Sequence, residues 1–406
     1  MRILQINTVV NSGSTGRIAE DIGNVLMMNG HESYIAYGRG NRPSKSKLIT
    51  IGKKKDIYLH VLKTLIFDRH GFGSTTATRK LIENIEQIKP DVIGLHNLHG
   101  YYLNIEVLFS YLAKKRIPVL WTLFDCWGFT GHCSYFDDIQ CRKWENGCYE
   151  CPKKKSYPSS YIFDNSQRNF FNKEKLFNSL EKMELVVHSK WLENIIKKSF
   201  LNKWPIHTFP TGINIDVFRH TDGVMKQKLS LKNKKVILGC ASIWSKRKGL
   251  KDFISLNSFM AEDFVLVLVG LSEEQRRSLP ANMIGIEKTE SIKELAELYS
   301  AADVFVNPTH QDNFPTTNIE SLACGTPVIT YNTGGSPEAI DKQTGVVVNQ
   351  GDIKGLATAI RQVVEKGKAY YAPYCRKRAE KYYNKDLRYL NYQSLYHNLA
   401  VSKWKG

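Results

Sequence analysis

The sequence predicts an α/β protein built from two doubly wound domains. Three observations carry this. The chain is 406 residues long, more than a single core usually organises. In its second half, Val236–Ala241 and Phe264–Gly270 are almost uninterruptedly apolar, as strands buried on both faces of a parallel sheet must be, and a helical stretch follows each. The first half shows the same alternation from its first residues: apolar strand, glycine-containing turn, helix.

Residues 1–7 read as a strand running into Asn11-Ser-Gly-Ser-Thr-Gly16, with a helix from near Arg17. Glycines let a backbone approach a ligand and helix N-termini favour anions, although an ordinary strand-to-helix turn has the same text. Residues 32–37 read as a strand, and 56–67 and 76–88 as helices. The helix over 56–67 is crowded with apolar residues and has basic neighbours, so it reads as a core helix, with a membrane or lipid-acceptor surface as the alternative. Asp91–His96 is a strand that delivers His96 and, along the loop, His99 to its carboxyl end, where an imidazole suits proton transfer or hydroxyl binding. Pro118–Phe124 delivers Asp125 to the same rim, as an acceptor-orienting acid or a turn former. Residues 166–181 read as a helix, 185–188 as a strand, and a helix opens at Ser189. Pro210 and Gly212 fit a boundary between residues 1–210 and 211–385.

Between the two apolar strands of the second half lie Lys246, Arg247 and Lys248, a basic cluster at a strand end that suits a phosphate or a solvated turn. Residues 303–306 form another strand. Asp312 follows on a polar loop, Pro315 suits a first helical turn, and Ile319, Leu322 and Ala323 give that helix a buried side. Gly325 and Pro327 stop it. Asp312 and Glu320 thus stand near a strand's carboxyl end, where open α/β sheets bind ligands. Paired carboxylates there suit the hydroxyls of a polyol, or simply complement a helix dipole. Asn332–Glu338 is a glycine turn into a helix, with Ser336 as cap and Pro337 as first residue; Tyr370–Lys403 reads as helix.

Composition narrows the class. A hydrophobic content of 42% is that of a globular protein. No apolar run approaches the roughly 18 residues of a membrane span. The N-terminus reads as a strand rather than a signal peptide, so a cytoplasmic location is expected. The net charge of +18 fits solubility, phosphorylated substrates or the anionic inner leaflet of a membrane. With no nucleic-acid module beside the dispersed basic residues, nucleic acid is not an expected partner. Within the insert 126–151, Cys133, Cys141, Cys148 and Cys151 form a loop-like cluster that reads as a closed structural zinc site or as free thiols.

Asp312-x7-Glu320 with Ala323-Cys324-Gly325-Thr326-Pro327 resembles the signature of retaining glycosyltransferases of family 4, which have the GT-B fold. Thr122–Cys133 resembles the exopolysaccharide and colanic-acid branch, with Phe124 where that branch often has His; Phe209–Phe218 resembles the family's Pro-Asn-Gly-Ile-Asp segment. The resemblance implies two Rossmann-like domains facing a cleft, the first for the acceptor and the second for the donor, with a last helix, 386–406, crossing back. It implies metal-independent transfer from a nucleotide sugar, a UDP- or GDP-sugar, to a lipid-linked glycan in surface polysaccharide synthesis. It assigns the donor sugar to His96 and to Asp312, where Glu is usual, and the ribose to Glu320. Gly16, Gly335 and Glu338 match donor-side positions, Ile286–Thr289 matches the nucleobase loop, and Asp125 stands at the acceptor rim. Lys248 matches the lysine that grips the diphosphate; the partner arginine's position falls on Ser242, which leaves Arg247 or Lys246 to supply the charge. A nucleotide-sugar epimerase of the same fold and a zinc-stapled polyanion-binding protein are the alternatives.

Overall fold

In the computed structural model, residues 1–40, 42–221, 224–231 and 233–401 are described. They form two compact units: Met1–Phe209 with the chain from Tyr389, and Pro210–Arg388.

The first unit contains β1 (Arg2–Val9), α1 (Gly13–Met28), β2 (Glu32–Arg39), β3 (Lys47–Thr50), α2 (Lys54–Phe67), α3 (Thr75–Ile88), β4 (Val92–Leu95), α4 (Ile105–Lys115), β5 (Val119–Leu123), α5 (Ser166–Phe177), β6 (Met183–Val187), α6 (Lys190–Ile196) and β7 (Ile206–Thr208). Its sheet is parallel throughout, in the order β3-β2-β1-β4-β5-β6-β7. The winding direction reverses between β1 and β4. The edge strands β3 and β7 are short and carry Lys47 and His207; their polar text hides them from a reading by apolar runs.

The second unit contains α7 (Val224–Lys228), β8 (Lys235–Cys240), α8 (Leu250–Leu256), β9 (Phe264–Val269), α9 (Glu273–Arg277), β10 (Met283–Ile286), α10 (Ile292–Ala301), β11 (Val304–Asn307), α11 (Thr316–Ala323), β12 (Val328–Tyr331), β13 (Gly345–Val348), α12 (Ile353–Lys366) and α13 (Lys368–Tyr383). Its sheet, β10-β9-β8-β11-β12-β13, is also all parallel and reverses between β8 and β11. Strand residues such as Ile237, Leu266, Phe305 and Ile329 are fully buried, because helices cover both faces.

The tyrosine-rich tail is two helices. α13 ends at Tyr383, Asn384 is extended, and α14 spans Lys385–Val401; residues 402–406 of the expected last helix lie outside the described residues. Tyr389, Tyr392, Tyr396 and Leu399 of α14 pack against Ile3, Ile22 and Val92 of the first unit. Gly94 admits this contact, since a Cβ there would lie 2.1 Å from the Tyr396 hydroxyl.

Two local expectations are corrected. Ser336 does not cap an α-helix: Ser336–Ala339 is a 3-10 turn with Gly335 at the cap. α2 is not a core helix. It buries only His60 and Thr64, and Tyr58, Leu59, Leu62 and Phe67 are exposed. Its apolar residues run around the whole circumference, so no orientation hides them all. No helix among the described residues is long and apolar enough to cross a membrane.

Candidate active site

The loops leaving β8 and β11 meet at the point where the second sheet reverses, the place where open parallel sheets bind ligands. The loop after β8 makes a 3-10 turn of Lys246, Arg247 and Lys248, closed by Gly249 at φ +76°. A Cβ on Gly249 would stand 1.9 Å from the Pro308 carbonyl oxygen, so only glycine lets the basic turn press on the loop after β11. There Lys248 Nζ donates to Asp312 Oδ2 in an ion pair. The Arg247 guanidinium donates to the Gln311 carbonyl (2.6 Å) and lies 3.9 Å from the same Asp312 oxygen. Arg247 therefore joins Lys248 beside one carboxylate, while Ser242 is exposed. We expect Gly249→Ala to cost about 2 kcal/mol or more, from left-handed backbone strain plus this overlap, read as a lower denaturation midpoint.

Asp312 is fixed from its other side. Gly335 N–H donates to its carbonyl (3.3 Å), and Gly334, at φ +56°, leaves no room for a Cβ against that oxygen. Buried side chains tie the same elements together: Asn307 donates to Asn318 (2.8 Å), and Asn318 donates to Ser336 Oγ (3.0 Å). Glu320, in α11, is buried and accepts from the Tyr299 hydroxyl at 3.1 Å. Burial, with Cys240 and Glu320 nearby, holds the Tyr299 pKa well above its ordinary value, so the phenol stays a donor. Glu338 sits in the turn after Gly335, its carbonyl accepting from Arg378 (3.2 Å). Ile286 ends β10, and the loop through Thr289 leaves its carboxyl end. A second cluster escapes sequence reasoning: Asp252 accepts from Tyr331 (2.8 Å) and pairs with His310 (3.0 Å). No local spacing links these residues.

In the first unit the rim is drawn from β1, β4 and β5. Gly16 lies inside α1, not before it. A Cβ there would sit 3.1–3.3 Å from Val9 and Asn11 atoms, so the residue serves close packing of α1 on the end of β1. His96 is buried with Nε2 against Gln5 Oε1 at 2.8 Å, which makes Nε2 the donor. Its Nδ1 has no hydrogen-bond partner among the described residues. Burial, then nearby His188, pushes its pKa down to about 3, so His96 is a neutral ring with a bare lone pair. His99 is the histidine with a carboxylate: Nε2 pairs with Asp125 Oδ2 (2.7 Å) and Nδ1 with the Tyr157 hydroxyl (2.9 Å). The other Asp125 oxygen accepts the Trp127 N–H at 2.9 Å. Asp125 thus forms a local turn through one oxygen and meets His99 through the other.

The cysteine insert has more core than its sequence promises. Phe136 stacks on Trp144 (5.0 Å) and Phe129 packs edge-on to Trp144 (5.6 Å). Buried Lys173 lies 3.5 Å from the Trp127 ring centre and donates to the Trp127 and Thr130 carbonyls. The thiols divide. Cys133 donates to Cys151, which lowers the Cys151 pKa to about 7, while Cys148 accepts the Gly131 N–H (3.1 Å) and burial pushes its pKa up to about 12. Among the described residues no three Cys, His, Asp or Glu side chains group so as to hold a metal ion. The closed zinc site and free thiols both stay open as readings of these four cysteines, and the aromatic packing gives the insert a core of its own. Elemental analysis of the purified protein separates the two readings: one zinc per chain supports the closed site, and no zinc with four titratable thiols supports free cysteines.

Residues 234–366, which contain the whole basic-turn and carboxylate cluster, match the family described as glycosyl transferases group 1. These residues are a glycosyl transferases group 1 domain. The chain is also similar, at 22% identity over 88% of its length and 89% of the relative's, to the putative colanic acid biosynthesis glycosyl transferase WcaC of Escherichia coli K12. Among solved structures, sucrose-phosphate synthase from Thermosynechococcus elongatus superimposes with a TM-score of 0.74 at 18% identity, covering 99% of both chains. Anabaena Alr3699/HepE in complex with UDP gives 0.69 at 14% identity, covering 99% of this chain and 100% of that one. These likenesses show the GT-B fold. The group 1 domain spans β8 to α12, the part of the second unit that carries Lys248, Asp312 and Glu320.

Proposed function

We propose that the protein is a retaining, metal-independent glycosyltransferase that moves a sugar from a nucleoside-diphosphate sugar to a hydroxyl of a lipid-linked glycan in surface polysaccharide synthesis. The observation that carries this is the Lys248–Arg247–Asp312 cluster at the switch point of the group 1 domain. A departing diphosphate needs positive charge fixed in advance, and two cations held by a tight glycine turn supply it. Glu320, backed by the Tyr299 hydroxyl, binds the ribose hydroxyls. Asp312 and the bare Nδ1 of His96 accept from hydroxyls of the donor sugar. Asp125 orients the acceptor through His99. Gly16, Gly335 and Glu338 shape the donor-side backbone, and Ile286–Thr289 reads the base. In this reading residues 1–210 take the acceptor, 211–385 take the donor, and 386–406 close onto the first domain. The relative named for colanic acid synthesis supports the polysaccharide role, and the solved complex with UDP supports a nucleotide donor.

The test is thermal shift against UDP-, GDP- and ADP-sugars with and without EDTA. Stabilisation by one nucleotide class, unchanged by EDTA, is expected. No shift with any donor, or conversion of the donor sugar with no acceptor present, would overturn the transfer reading.

A further inference from the structure

The exposed face of α2 continues into the tail of the cysteine insert. Tyr58, Leu59 and Leu62 stand 71%, 64% and 53% exposed, with Leu62 one helical turn on from both Tyr58 and Leu59. At the helix end Phe67 stacks on Phe163, ring centres 5.7 Å apart and planes within 10°. Phe163, Ile162 and Tyr161 are themselves more than half exposed. The strip is therefore longer than the helix, which alone spans about 21 Å.

Three features tell what covers it. The first is charge: Lys53, Lys54, Lys55 and Lys63 are exposed along the same helix. The acids of the region are engaged with backbone donors, Asp56 with Lys53 N–H, Asp68 with Asn165 N–H and Asp164 with Cys151 N–H. The second is backbone satisfaction. The last four carbonyls of a helix ordinarily face water. Here Thr64 O accepts from Asp68 N, Leu65 O from Tyr161 N, Ile66 O from Phe163 N and Phe67 O from the Asn165 amide. A helix end with every carbonyl taken can enter a medium that offers no hydrogen bonds. The third is side-chain type: tyrosines and phenylalanine beside leucines, with long lysine stems that let ammonium groups reach outward, are what an interface between headgroups and acyl chains accepts. A second copy of a chain carrying +18 would be repelled.

We infer that this strip, α2 with residues 161–163, is a docking surface for an anionic lipid bilayer, with the helix lying in the interface plane. The inference does not rest on the donor site, because lipid binding needs no sugar transfer.

The test is co-sedimentation of the full chain with vesicles of phosphatidylcholine alone and of phosphatidylcholine with about a third phosphatidylglycerol. Binding to the anionic vesicles only is expected, weakened by 0.5 M salt as a screened attraction must be. The double variant Leu59→Gln, Leu62→Gln keeps good helix formers at exposed positions, so its melting temperature should match the parent while vesicle binding falls at least tenfold. Lys54→Gln with Lys55→Gln should abolish the preference for anionic lipid. Equal binding to both vesicle types, no binding, or no change in the leucine variant would overturn the inference. Sedimentation velocity of the parent and the leucine variant completes it: a parent dimer that the variant converts to monomer would assign the strip to self-association instead.

Discussion

Replacing Glu320 by alanine is expected to lower nucleotide-sugar affinity about a hundredfold while leaving the protein folded. Its carboxylate sits at the switch point, inside α11, with one oxygen accepting from Tyr299. Two hydrogen bonds from neighbouring ribose hydroxyls to an ionised acceptor contribute about 3 kcal/mol together, and 1.4 kcal/mol is tenfold in affinity. Removing the acid also leaves the Tyr299 hydroxyl without this acceptor, a cost that falls on stability rather than on binding. Tyr299→Phe separates the two: it should shift stability with little change in donor affinity. Isothermal titration with the donor nucleotide reads both variants. A Glu320→Ala protein that binds as tightly as the parent would refute the ribose role.

Acidification to pH 5 should weaken the first unit, with about 6 kcal/mol of the loss coming from three buried histidines. Three of its buried histidines, His60, His96 and His188, have pKa values pushed down by burial to about 4, 3 and 4. The geometry agrees. His60 Nε2 accepts the N–H groups of Gly71 and Gly73, both at 3.2 Å, and His70 Nε2 accepts that of Gly100. A proton on those nitrogens would break the bonds as well as bury a charge. Each folded pKa is below the unfolded value of about 6.5, so between the two the unfolded chain holds more protons and stability falls as pH falls. At pH 5 that is about 2 kcal/mol per histidine. His132 runs the other way: it is raised by the Asp68 carboxylate beside it, despite burial, and gains stability on acidification. The net loss is the excess of three such groups, with His70 adding to it, over one. Denaturant midpoints at pH 7.5 and pH 5 measure it. His60→Gln should flatten the slope by the share of one proton, whereas a flat profile in the parent would contradict the burial argument.

What could be read in the sequence was what is local. β11, the loop with Asp312 and the helix with Glu320 lie within twenty residues of chain, so spacing alone orders them on a rim. β1, β2, β4, β5 and β6 of the first sheet and β8, β9 and β11 of the second follow from apolar runs, because strands covered on two faces have no polar alternation. What failed was non-local. The rim shared by His99 and Asp125 was legible from two strand ends but their bond was not, and nothing near His96 announces Gln5, whose hydrogen bond fixes its tautomer. α2 misleads because apolar content tells how much surface wants cover, not which neighbour supplies it. Around the four cysteines, Trp144 with Phe129 and Phe136 gives the insert a core that composition does not display. Ser242 removes a charge at the expected place, and only the 3-10 turn shows Arg247 beside Lys248.

The pairing of Lys248 with Asp312 makes the second unit its own counterion store. If Lys248 takes the donor diphosphate as proposed, the arriving anion exchanges with this carboxylate, so the local charge that must be desolvated changes little. The carboxylate would then stand ready to reclaim the lysine after transfer, trading tight binding for turnover.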